Sequence, residues 1–179
     1  MTNLAVPVPR TFNVGETEVS AYLNAVRDAL TFLTNKPICT VNQNTAQTLT
    51  TATWTSITMD ATTVDSCGGH SNSVNPSRYV AQVAGWYLVA GSSVFVANAT
   101  SFRMARSAKN GSAVQSSGVS YPTVSAAQHA ALPVVAAFAF LNVGDYVEVQ
   151  GYQNSGGNLN TTTGSPELDS GLSVIWDHA

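Results

Sequence analysis

Apolar and polar residues change their spacing once along this chain, near residue 37. Before that point Val19, Tyr22, Leu23, Val26, Leu30 and Leu33 fall at i, i+3, i+4, i+7, i+11 and i+14, one face of an amphipathic helix. The spacing predicts a helix from about Gly15 to Asn35, with Glu16 and Glu18 suiting the dipole of its first turn and Lys36-Pro37 closing it. A lone helix of this length is marginal in water. Its stripe has to be met by the body of the protein, by the same helix of a neighbouring chain, or by a host structure. Ahead of it, Pro7 and Pro9 forbid a helix and favour an extended arm, whose Leu4, Val6, Val8, Phe12 and Val14 are expected to lie along another surface.

After Pro37 the period becomes two. Ile38 to Gln43 and Thr53 to Asp60 read as strands, and Val64 to Pro76, with Gly68-Gly69 and Asn75-Pro76, reads as a loop. Val83 to Val96 is the longest β-like run. Tyr87 and Val89 point to one side of it and Trp86, Leu88 and Ala90 to the other, so a central strand covered on both faces is expected. Phe102, Met104 and Arg106 alternate with Arg103, Ala105 and Ser107 up to Asn110-Gly111, a hairpin signal with a return strand and its loop over Ser112 to Ser125. Ala126 to Leu132 is compatible with a helical turn or an extended segment. Val134 to Leu141 reads as a buried strand, Leu141 to Asp145 as a tight turn, and Tyr146, Glu148, Gln150 and Tyr152 alternate with Val147, Val149 and Gly151. Asn154 to Pro166 reads as a polar loop, and Leu172, Val174 and Trp176 mark a final strand. Eight to ten strands at this spacing mean an all-β sandwich or barrel.

Composition adds one unusual feature. Of 179 residues, 44% are hydrophobic and only 9% are charged, so the surface must be covered by Thr, Ser, Asn, Gln and Gly or by other subunits, and oligomerisation is the economical reading. The net charge is −3 and the basic residues are scattered; Arg103, Arg106 and Lys109 form the one close group, read as a solvated strand end, so no nucleic-acid partner is expected. No apolar run is long enough to span a membrane and no signal peptide is evident, so a soluble protein with no membrane partner is expected. Cys39 and Cys67 are then read as free thiols of a reducing cytoplasm, a disulfide between them being the alternative.

Candidate chemistry is sparse. Asp60, Asp65 and Asp169 are weighed as a Ca²⁺ site and read instead as ordinary loop carboxylates; His70 lies three residues after Cys67 but completes no metal set. His70, His129 and His178 are far apart, and no Ser or Cys has a nucleophile-elbow setting. No catalytic, cofactor or metal residues are expected. Trp86, Tyr87, Phe138, Phe140, Tyr146, Tyr152 and Trp176 are weighed as a carbohydrate platform, but their alternation within strands favours the core or a subunit interface.

Ala84-Gly85-Trp86-Tyr87-Leu88-Val89, Phe102-Arg103-Met104 through Lys109-Asn110-Gly111, Leu141-Asn142-Val143-Gly144-Asp145-Tyr146-Val147-Glu148 and Ser170-Gly171-Leu172-Ser173-Val174 together resemble the strand signatures of the complement globular-head and tumour-necrosis-factor jelly-roll superfamily. The resemblance covers residues 38 to 179. It implies a jelly-roll sandwich of about ten strands forming a homotrimer through apolar and aromatic side chains, with Trp86, Tyr87, Phe138, Phe140, Tyr146 and Trp176 in the core or trimer interface. Leu88 follows Tyr87 where the animal proteins usually carry a Tyr-x-Phe pattern, and no collagen-like repeat precedes the domain, so a complement or cytokine role is not expected.

Val8 to Glu16 followed by Tyr22 to Leu33 is similar to the start of structural proteins from tailed bacteriophages of actinobacteria. This second resemblance implies a division at residue 37. Residues 1–37 would anchor to a virion through Val6, Val8, Phe12, Val19, Tyr22, Leu23, Val26, Leu30 and Leu33, and residues 38–179 would form the outward jelly roll. The expected role is non-enzymatic decoration or reinforcement of a capsid surface, with the major capsid protein or other virion proteins as partners and assembly in the host cytoplasm. The alternative is a minor tail or fibre-head protein that recognises a host-surface glycan through loops 67–75 or 154–166. A secreted lectin-like protein is a weaker third reading.

Overall fold

The computed structural model describes residues 11, 13–15, 17, 20–121 and 128–179. Among these residues the helix α1 (Ser20–Thr34) precedes the strands β1 (Ile38–Asn42), β2 (Thr48–Leu49), β3 (Thr55–Ser56), β4 (Ala61–Asp65), β5 (Tyr79–Val80), β6 (Gly85–Phe95) and β7 (Arg103–Lys109). The remaining strands are β8 (Ser112–Ala113), β9 (Val119–Tyr121), β10 (Ala130–Leu141), β11 (Tyr146–Gln153), β12 (Leu159–Asn160) and β13 (Gly171–His178). The strands make a jelly-roll sandwich. One sheet has the order β10-β6-β13-β1-β4; the other is β3-β11-β7-β8, extended by β5 on β11 and β9 on β7, while β12 and β2 pair separately.

Alternation sets which side chains fill the space between the sheets. Tyr87 and Val89 of β6, Leu172, Val174 and Trp176 of β13, Cys39 and Val41 of β1, and Leu132, Ala139 and Leu141 of β10 face Val147 and Val149 of β11 and Ala105 of β7. The Tyr87 hydroxyl donates to the Val83 carbonyl at 2.7 Å, satisfying its polar end inside the core. At Gly91 in β6 no side chain fits. A Cβ on Gly91 would strike the Gly171 carbonyl and lie 2.7 Å from Val149 Cγ2.

The inward alternation of β7 also buries an arginine. Arg103 is fully enclosed, with Nη1 donating to the carbonyls of Thr100 (2.8 Å) and Phe102 (3.0 Å) and Nη2 to Asn98 O (3.3 Å); burial depresses its pKa. Three carbonyl dipoles replace a carboxylate as its partners.

Several local expectations change. The strand expected over Thr53 to Asp60 shrinks to β3, and β4 begins at Ala61 and runs to Asp65, so the loop starts two residues later than Val64. Thr-rich sequence suits either state, and pairing with β1 decides it. The return strand after Asn110-Gly111 breaks into β8 and β9, because Ser117 tucks its hydroxyl under β7, accepting from Ser107 N at 3.1 Å and donating to Val114 O at 2.8 Å. The turn itself has positive φ at Asn110 (50°) and Gly111 (81°), the geometry the Asn-Gly pair predicts. The undecided segment from Ala130 joins β10, and Pro133 is tolerated there because β10 is an edge strand. The loop expected over Asn154 to Pro166 contains β12, whose buried Leu159 pairs with buried Leu49.

The turn before β11 is held by Asp145. Its carboxylate accepts from Asn110 Nδ2 (2.8 Å) and Asn142 N (2.9 Å) and meets Lys109 Nζ at 2.9 Å. These bonds, Asn110 first, hold its pKa well below the usual carboxylate range.

Two measurements check this description. Tyr87→Asp should give no folded protein, whereas Tyr87→Phe should lose only about 1 kcal/mol in urea unfolding, the usual net value of one hydrogen bond. Because the folded pKa of Asp145 lies below its unfolded value, its contribution is present above about pH 4 and lost as pH falls further. Asp145→Asn should therefore flatten the acid limb of the stability curve.

Candidate assembly face and ligand cavity

The face of the five-stranded sheet that turns away from the core is also apolar. Strand register lines up Phe138 (β10), Leu88 (β6), Ile175 (β13) and Ile38 (β1) in one row across four strands. A second row sets Phe140 beside Trp86 and Trp86 beside His178. The Trp86 and Phe140 rings meet edge-on at 5.6 Å, and the His178 ring lies over Trp86 at 6.4 Å. Phe138 is 54% exposed, Ile175 47%, and Trp86 and Phe140 40% each. β6 is therefore covered on one side only within a single chain, which differs from the expectation that both its faces are enclosed. Ile38, Leu88 and Ile175 join the patch through pairing of strands distant in sequence, a relation that periodicity within one segment does not reveal.

The six aromatic residues predicted for core or interface divide three ways. Trp86, Phe138 and Phe140 lie on the open face. Tyr87 and Trp176 are in the core, and Tyr146 is half-buried on the opposite sheet. Of the predicted anchoring residues, Val6, Val8, Phe12 and Val19 lie outside the described residues. Tyr22 is half-buried, while Leu23, Val26, Leu30 and Leu33 are exposed. The residue that docks α1 on the sandwich is Phe32, which the helical stripe omits. It packs edge-on against Trp176 at 5.0 Å and is the buried residue of the helix. Lys36 and Pro37 complete the joint, through Lys36 Nζ to Asp177 O (3.2 Å) and Trp176 N to Pro37 O (2.9 Å).

The outward face of the other sheet is built differently. Tyr146, Glu148, Gln150 and Tyr152 point out from β11, and two arginines lie across them. The Arg78 guanidinium sits 4.0 Å over the Tyr146 ring and that of Arg106 4.1 Å over Trp54. Between them, Arg106 Nε donates to Gln150 Oε1 (2.8 Å), Gln150 Nε2 donates to Glu148 Oε1 (3.0 Å), and Glu148 Oε2 lies 3.8 Å from Arg78 Nε. Glu148 and Gln150 are thereby buried but paired. The basic group Arg103, Arg106 and Lys109 is divided among a buried site, this ladder and the Asp145 turn, so it presents no phosphate-binding patch.

Beside Arg78 a cavity of about 390 Å³ is lined by Gly68, His70, Asn75, Gln82 and Tyr146 among others. Its rim is ordered by Asp65, which accepts the amides of Gly69 (3.1 Å) and His70 (2.8 Å). The His70 ring bridges two segments, with Nδ1 2.8 Å from Arg78 O and Nε2 3.0 Å from Met59 O. Carbonyl oxygens only accept, so both bonds form together when the ring carries both protons. This arrangement can place a cation and an aromatic ring against a small polar ligand.

The weighed carboxylates do not converge: Asp60 accepts from Thr45 N, Asp65 caps the cavity rim, and Asp169 accepts from Ser165 N. Among the described residues no three of His, Cys, Asp and Glu come together. Cys39 and Cys67 are unpaired thiols, and burial pushes the Cys39 pKa up to about 12. No described helix is long and apolar enough to cross a membrane.

No family model matches the chain, and neither does any curated protein sequence. Among solved structures it is similar to the globular domain of zebrafish complement 1qA protein, at a TM-score of 0.53 and 13% identity over 80% of this chain and 98% of that one. It is similar to murine APRIL, at a TM-score of 0.59 and 12% identity over 79% of this chain and 99% of that one. Eiger TNF from S. frugiperda matches at a TM-score of 0.52 and 14% identity, over 81% of this chain and 95% of that one. Identities this low carry the fold alone: the chain has the jelly roll of the complement globular-head and tumour-necrosis-factor type.

Proposed function

We propose that this chain is a non-enzymatic, homotrimeric structural protein of a tailed-phage virion, whose jelly roll assembles through the open face of the five-stranded sheet and whose N-terminal region attaches it to the capsid surface. The observation that carries the reading is the transverse row Phe138, Leu88, Ile175 and Ile38 with Trp86 and Phe140 beside it. An apolar patch of this kind, continuous over four strands, marks an interaction surface. Trimerisation buries it and also accounts for a chain with so few charges. Attachment to a virion is supported by the likeness of Val8 to Leu33 to phage structural proteins and by the apolar residues of the arm. The divergent positions of the titratable groups support a structural role over a catalytic one.

A second reading, recognition of a host-surface glycan by a tail or fibre head, is favoured by the cavity beside loop 68–78, where Arg78 and Tyr146 offer a cation and a ring.

At 18.7 kDa per chain, light scattering should give three chain masses for the intact protein. Phe138→Glu, on an exposed edge-strand position, should leave the fold intact and dissociate the trimer. An unpaired carboxylate buried there costs about 3 kcal/mol or more, about a 100-fold weakening. An unchanged trimer overturns the interface. Removing residues 1–19, which keeps Phe32 on Trp176, should leave a soluble trimer that no longer binds virions. Retained virion binding overturns the attachment, and binding of the truncated trimer to host cells favours the second reading.

A further inference from the structure

We propose that α1 is one strand of a parallel three-helix coiled coil whose other two strands are α1 of two further copies of this chain, forming a short stalk beneath the jelly-roll trimer. The proposal rests on the trimer proposed above and adds to it a second, separately testable contact.

The spacing of Val19, Leu23, Val26, Leu30 and Leu33 is 4, 3, 4 and 3, the d-a-d-a-d seam of a heptad repeat. A strict seam of this kind is narrower than the stripe of a helix lying on a globular core. Leu23, Val26, Leu30 and Leu33 are 56%, 41%, 59% and 55% exposed, so the body of the chain does not cover it. Nor is the body positioned to do so. Phe32 occupies a c position, about 130° around the helix from the seam at ~100° per residue. Docking Phe32 on Trp176 therefore turns the seam away from the sandwich.

Three features of the helix select copies of itself as the occupant. Leu at both a positions with Val at a d position is unlike the dimer arrangement, which has β-branched residues at a and Leu at d; it resembles the pattern that favours three or more strands. In a parallel coil each g residue faces the e residue five positions on in the next helix, which sets the Tyr22 ring against Arg27 of a neighbouring copy. The helix carries two charged residues, Arg27 and its ion-pair partner Asp28 at 2.7 Å, so no like charges oppose one another along the seam.

Area decides that helix and sheet act together. A half-exposed Leu or Val leaves on the order of 80 Å² to bury, so the four seam residues offer about 300 Å², well below the ~800 Å² per partner of a standard interface. With the sheet patch added, the total approaches that value. Two heptads are also too short to associate alone, but the three-residue joint Asn35 to Pro37 ties each helix to its head, and a head trimer holds the helices at high effective concentration. Cyclic symmetry brings identical ends of the three helices to one level, which makes the coil parallel.

The test uses the full chain with Cys67→Ser, Cys39 being buried, and a single new cysteine at Leu30→Cys (position a) or Asp28→Cys (position f). Mild oxidation should convert Leu30→Cys to covalent dimers several-fold more efficiently than Asp28→Cys. Leu23→Glu with Leu30→Glu should lower the 222 nm circular dichroism while the jelly-roll transition persists. A trimer by light scattering with no preference for position 30 over 28 overturns the stalk and leaves the head trimer standing. In that case the seam is covered by the arm of the same chain or by a virion protein. A monomer overturns both.

Discussion

A strand whose side chains alternate between two apolar faces requires two apolar neighbours, and this chain supplies one. In β6, Tyr87 and Val89 find their partners in Val147 and Val149 across the sandwich, while Trp86 and Leu88 face outward beside Phe140, Phe138 and Ile175. The period of two fixes both sets at once, since a side chain cannot leave the outer face without bringing its neighbour out of the core. Most of the remaining architecture follows from this. Gly91 leaves room for the Gly171 carbonyl and Val149, Pro133 is tolerated on the β10 edge, and the outer row stays exposed.

The two sheets solve the problem of an outer face in different ways. On the β11 side, outward residues are polar or amphipathic, and Arg78 and Arg106 lie across Tyr146 and Trp54 so that Glu148 and Gln150 are enclosed and paired. That face is complete within one chain. On the β6 side no described arginine lies across the aromatic residues, and Trp86, Phe138 and Phe140 stay exposed. The same contrast recurs in α1, where Phe32 is satisfied by Trp176 while Leu23, Val26, Leu30 and Leu33 stay exposed. An open sheet face and an open helix seam in one molecule are the physical basis for the assembly proposed above.

The fold class, α1 and the longer strands were legible in the sequence, because each rests on periodicity within a single segment. The 3.6-residue stripe located α1, alternation located β6, β7, β11 and β13, and Asn110-Gly111 located a hairpin whose φ values match. What alternation could not assign was the identity of each face's neighbour. Trp86 and Tyr87 are adjacent and equally aromatic, yet one is on the open face and the other is in the core. Likewise Trp176 and Tyr146 fit an interface as well as a core by composition.

Sequence by itself therefore determined the elements and their two-faced character, since local sterics and side-chain period act over a few residues. Tertiary structure decided the rest: that Ile38, Leu88, Phe138 and Ile175 form one row, that Leu49 and Leu159 pair in the core, that Phe32 turns the leucine seam outward, and that Arg103 donates to carbonyls instead of a carboxylate. Each of these depends on segments tens of residues apart meeting in a particular register, and no spacing within one segment encodes which distant partner it will meet.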